Sequence, residues 1–105
     1  MDIKELLNRL CGVAIREGLE CPEITKVYIY NPPARARGSW VYIHDEVYVE
    51  PLSESIAVGK GPVNILVFRL TAGYMALAIH KTTGALDAEK AVELARKHYF
   101  SLLIG

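Results

Sequence analysis

Apolar residues return at three- and four-residue steps at the start of the chain. Ile3, Leu6, Leu7, Leu10 and Ala14 fall on one stripe, which predicts an amphipathic helix over 2–17. Asp2 stands at its N-cap position, Gly18 is suited to close it in a left-handed conformation, and Pro22 prevents a restart. The period then changes to two. In "ITKVYIY", residues 24–30, Thr25, Val27 and Ile29 take one face of a strand while Lys26, Tyr28 and Tyr30 take the other. Pro32 and Pro33 end it, since neither donates a ladder hydrogen bond.

A hairpin is expected at 39–50. With His44–Asp45–Glu46 as its loop, Ile43 opposes Val47 and Tyr42 opposes Tyr48. That register places Val41, Ile43, Val47 and Val49 on one face and Trp40, Tyr42, Tyr48 and Glu50 on the other. Residues 51–62 read as a loop. A second hairpin is expected at 63–81, with "TAG" as its turn and Gly73 supplying a positive φ. Its strands are apolar on both sides, Val63, Ile65 and Val67 against Leu66, Phe68 and Leu70, as in strands covered on two faces. A last helix is expected at 88–103, capped by Asp87, with Ala91, Val92, Ala95, Tyr99 and Leu102 as its apolar stripe.

The expected architecture is therefore α+β, a single domain over residues 1–105 with the order α-β-β-β-β-β-α. An antiparallel sheet would carry the N- and C-terminal helices on one face. The apolar strands of 63–81 then ask for cover on the other face. A second copy of the chain is the expected answer, with the 51–62 loop as the alternative cover.

Composition adjusts this picture in three ways. Hydrophobic residues make up 51% of the 105 residues and charged residues 23%, which excludes a disordered chain. The mean hydropathy of +0.19 is high for so small a domain and favours a face buried against a partner. Twelve basic and twelve acidic residues cancel, which excludes a global electrostatic footprint for nucleic acid but not a local one. No apolar run is read as reaching the roughly 18 residues of a membrane helix, and "MDIKELLNRL" does not read as a signal peptide, so the expected location is cytoplasmic. Cys11 and Cys21 make no CxxC motif and are expected as free thiols. The alternative is a disulfide, in keeping with the absence of glutamine and scarcity of asparagine that mark some thermophile proteins.

The segment "NPPARARGSW", residues 31–40, holds the main candidate chemistry. Lys26, Tyr28, Tyr30, Trp40, Tyr42 and Tyr48 are expected to share one sheet face, with Arg35 and Arg37 hanging at its edge. Such a face suits a protein surface or a second copy, since Trp, Tyr and Arg are favoured at interfaces. It also suits single-stranded nucleic acid, whose bases stack on rings and whose phosphates take bidentate arginine. Asp45, Glu46, Glu50 and Glu54 lie nearby and would repel phosphate or pair with the arginines.

Other features are weaker. "VGKGP" at 58–62 lacks the spacing of a phosphate-binding loop and reads as a turn. His44 with Asp45 and Glu46 sits at an exposed hairpin tip, His80 and His98 lack metal-ligand spacing, and "HKTTGALD" at 80–87 ends on a cap that competes with any anion. No nucleophile motif is present. The expectation is a non-catalytic interaction domain without cofactor or metal that self-associates, as a homodimer, through the aromatic face and the 31–40 loop. The alternatives are a single-stranded RNA or DNA binder using the same residues and a small enzyme with an unrecognised site.

Overall fold

The computed structural model describes residues 1–33 and 38–105. Its first helix, α1 (Ile3–Arg16), forms where the apolar stripe predicts. Asp2 accepts from the Glu5 N–H at 3.2 Å, and Leu6, Leu10, Val13 and Ala14 are buried. Gly18, at φ +78°, turns the chain so that its N–H donates to Ile15 and that of Leu19 to Ala14, the paired bonds of a Schellman ending.

This reversal brings Cys21 back to Cys11, with 5.2 Å between their Cα atoms, and the two form a disulfide. The expectation of free thiols is thus corrected. The pairing depends on a turn whose geometry the spacing of the cysteines does not reveal.

Four strands follow: β1 (Lys26–Tyr30), β2 (Val41–His44), β3 (Val47–Glu50) and β4 (Ser55–Gly59). They form one sheet in the order β1-β4-β3-β2, in which β1 runs parallel to β4 and the other pairs are antiparallel. The expected sheet is therefore corrected from five antiparallel strands to four mixed ones. In the β2–β3 hairpin Tyr42 opposes Tyr48 as expected. The tip differs, because the register shifts and His44, not Ile43, opposes Val47. The turn narrows to Asp45–Glu46, with Glu46 at φ +56°.

β4 lies within the segment expected as a loop. Its alternation is Ser55, Ala57 and Gly59 on one face, with Ile56 and Val58 fully buried on the other. Small residues on the outward side hide that alternation from a hydropathy reading.

The larger correction concerns 63–81. These residues form no hairpin but one helix, α2 (Val63–Thr83). Its middle, from Leu70 to Ile79, is largely apolar and enclosed, by the sheet on one side and by α1 and the final helix α3 (Ala88–Ile104) on the other. Such a helix shows no 3.6-residue stripe, and its β-branched residues imitate strand. Its hydroxyls are satisfied internally: Thr71, Thr82 and Thr83 each donate to the carbonyl four residues earlier. Gly73 makes no turn. It lets α2 approach β4 so closely that a Cβ there would stand 2.7 Å from Ile56 Cγ2.

α2 also corrects the reading of the apolar runs, since it is long and apolar enough by composition to cross a bilayer. Within the domain, 67% of its apolar window is buried. The cover that 63–81 seemed to need comes from inside the chain, so those residues no longer argue for a second copy. α3 begins as expected, with Asp87 accepting from the Lys90 N–H at 3.0 Å. Among the described residues the three helices lie on one side of the sheet, and the other face carries none. The domain is thus α+β, with both terminal helices on one side as expected, α2 between α1 and the strands, and α3 reaching β2.

Candidate interaction face

The helix-free face is built by the period-two alternation of the four strands. Register across the sheet sets Tyr28, Ala57, Tyr48 and Tyr42 in one row, from one edge to the other. Tyr42 meets Tyr48 edge-on at 5.7 Å between centroids. Ala57 is the one small member of the row, between Tyr28 and Tyr48.

β1 and β2 run in the same direction at opposite edges of the sheet, joined by the connection 31–40. Its described end lies on the helix-free face. Ser39 Oγ donates to Glu50 Oε1 at 2.5 Å, and the Trp40 ring stands edge-on to Tyr28 at 5.9 Å. Lys26 Nζ sits 6.0 Å from the centre of the Tyr28 ring. The alternation thus places Lys26, Tyr28, Tyr30, Tyr42 and Tyr48 on one face, with Trp40 against it. Arg35 and Arg37 lie outside the described residues. Tyr28 is 45% exposed and Tyr42 57%, whereas Trp40, Tyr30 and Tyr48 are half-buried.

The two ends of the face differ in charge. At one end Glu50 is nearly buried and accepts from Ser39 Oγ, from the Ser53 N–H at 2.6 Å and from Ser53 Oγ at 3.0 Å. These bonds, that of Ser39 foremost, hold its carboxyl below the usual carboxylate range. Thr25 and Ser55 complete the hydroxyl cluster, Thr25 Oγ1 donating to the Ser53 carbonyl. At the other end the Tyr30 hydroxyl is shut off from solvent close to Glu46. Burial first, then the charge of Glu46, raises its phenol well above the usual range. Both acids on this face are thus engaged with protein groups.

The remaining candidates are used structurally. In "VGKGP" the Gly59 N–H donates to the Glu46 carbonyl and that of Lys60 to the Tyr30 carbonyl, while Arg69 Nη1 donates to the Gly59 carbonyl. Those N–H groups are not available as an anion nest. His44 packs edge-on to Phe68, which packs on Tyr99, and His98 Nε2 lies 2.6 Å from Glu17. Among the described residues no group of three or more His, Cys, Asp or Glu side chains is placed to hold a metal ion. "HKTTGALD" is the end of α2 and the turn into α3, with Asp87 occupying the cap.

Two features of the site escape a reading of the aromatic residues. One is Ala57, whose strand is masked by its small outward residues. The other is Ile29, which the alternation turns toward the helix side but which remains 44% exposed at the sheet edge. Comparison with known proteins finds no matching family model, no matching curated protein and no matching solved structure.

Proposed function

We propose that the protein is a small non-catalytic interaction domain that associates with itself, and that the surface it uses is the helix-free aromatic face. One observation carries this reading: a sheet face without helical cover leaves the large rings Tyr28 and Tyr42 about half exposed, with Trp40 beside them. Exposed clusters of Tyr and Trp are the compositional mark of interface centres, because each ring buries a large area at a small cost in side-chain entropy. The near-zero net charge adds no general repulsion between copies.

Sedimentation velocity over a concentration series tests the reading. The wild type is expected to show a concentration-dependent shift from monomer to dimer, and Tyr28→Ser combined with Tyr42→Ser to weaken it by at least about tenfold. A wild type that stays monomeric throughout would overturn the proposal.

A second reading has one observation in its favour. Lys26 sits over an exposed ring on a sheet face that presents several others, a combination that single-stranded nucleic acid can use. Against it stand the two acids at the ends of that face.

A further inference from the structure

The two edges of the sheet are not alike. β2 is short, its register is broken between Tyr42 and His44, and α3 packs against it. Those are features that discourage another strand from pairing there. β1 has none of them. It pairs with β4 in unbroken register over all five of its residues, contains no proline, and has no strand on its outer side among the described residues. Tyr28 and Ile29, on its opposite faces, are both about half exposed. On the helix side, an open groove of about 410 Å³ runs along this edge between β1 and α1, lined by Ile3, Leu7, Ile24, Val27 and Ile29 together with the polar Lys4, Thr25 and Lys26.

We infer that the β1 edge is where two copies meet, pairing antiparallel about a two-fold axis through Tyr28 to give one continuous eight-stranded sheet. This rests on the self-association proposed above and places its contact at the Tyr28 edge of the aromatic face, leaving Tyr42 at the far edge outside it. The strand "KVYIY" is self-complementary. In antiparallel register about Tyr28, Val27 of one copy faces Ile29 of the other. Both lie on the groove side, so apolar meets apolar twice. On the aromatic face Lys26 faces Tyr30, so each copy sets a cation against its partner's electron-rich ring. At the axis Tyr28 faces Tyr28. A shift by two residues pairs only three residues of each strand, setting Tyr28 against Lys26 or against Tyr30, so the register about Tyr28 is the one that uses all five. Proline at 22 and at 32–33 limits the ladder to these residues. A two-fold axis normal to the sheet keeps both aromatic faces on the same side, which doubles the platform.

Engineered cysteines and a charge substitution test this together, in the full chain with the Cys11–Cys21 disulfide intact. Tyr28→Cys puts two thiols across the axis, where opposed Cα atoms are about 4.5–5.5 Å apart, within disulfide reach. It is expected to give a covalent dimer under mild oxidation. Tyr42→Cys, at the far edge, is expected to stay monomeric on a non-reducing gel. Ile29→Lys places a charge in the groove contact and is expected to weaken the dimer by at least about tenfold in sedimentation, with its circular dichroism unchanged. If the wild type dimerises but Ile29→Lys leaves the dimer intact and Tyr42→Cys cross-links while Tyr28→Cys does not, self-association stands and the β1 edge is overturned. If the wild type is monomeric at every concentration and neither cysteine cross-links, both are overturned.

Discussion

Tyr74 is the residue at which burial has the most direct solution consequence. It is only 2% exposed, on α2, and burial pushes its phenol up to about 12, with the charge of Glu54 adding to the effect. In the unfolded chain the phenol titrates near its ordinary value of 10.0. Between those values the folded state holds a proton that the unfolded state has released. The contribution to stability is therefore complete below pH 10 and is lost as pH rises through about 12. A difference of two units corresponds to about 2–3 kcal/mol. Urea unfolding midpoints taken from pH 9 to pH 12 should fall steeply for the wild type. Tyr74→Phe should remove up to about that much of the fall, leaving the part due to Tyr30, whose phenol is also raised. Parallel curves for the two proteins would mean that Tyr74 titrates normally.

Among the elements, α1 is the one most dependent on cross-links. It has no direct seat on the sheet and packs on α2 and α3. Arg9 donates to the Leu102 and Ser101 carbonyls at the end of α3, while Glu17 accepts from Lys97 at 2.8 Å and contacts His98. The Cys11–Cys21 disulfide closes the chain between α1 and β1. A loop of that length should contribute about 2–3 kcal/mol by restricting the unfolded chain. Replacing both cysteines with serine should lower the unfolding free energy by about that amount, measured by denaturant titration, with the folded circular dichroism retained. No loss at all would mean that the native pairing adds as much strain as it removes entropy.

The elements also differ in how far the sequence discloses them. α1 and α3 are legible because each buries one stripe and wets the other, with Asp2 and Asp87 as visible caps. The inner side of the β2–β3 hairpin is legible in the same way, through Val47 and Val49. α2 is not, because the burial of its middle, Leu70–Ile79, removes the polar face from which a helical period is read, and Gly73 then resembles a turn. β4 is lost for the opposite reason: serine, alanine and glycine on its outer side look like a loop until a partner strand fixes their alternation. The aromatic side of the sheet follows from alternation alone. Its arrangement does not, since the row Tyr28–Ala57–Tyr48–Tyr42 depends on β4 entering the sheet beside β1.

At the scale of the whole molecule, a balanced charge and a polarised distribution of cover decide what the aromatic face can accept. Among the described residues three helices shield one side of the sheet and none the other, so the exposed rings of Tyr28 and Tyr42 lie on the uncovered side, with Ile29 at its β1 edge. A nucleic-acid ligand would have to bring phosphates past Glu46 and Glu50 without help from net charge, which is zero. Two copies of this chain face no such barrier. Trp40, the sole tryptophan, lies against Tyr28 and reports on the face directly. Titration with short single-stranded RNA and DNA at low salt is therefore expected to leave its fluorescence unchanged. If the proposed dimer forms, dilution of the protein alone should shift that fluorescence as the Tyr28 edge becomes exposed. Saturable quenching by nucleic acid, weakening with salt at a logarithmic slope of about 0.7 per phosphate contacted, would reverse that assignment. It would place stacking on Tyr28, Trp40 and Tyr42 ahead of self-association.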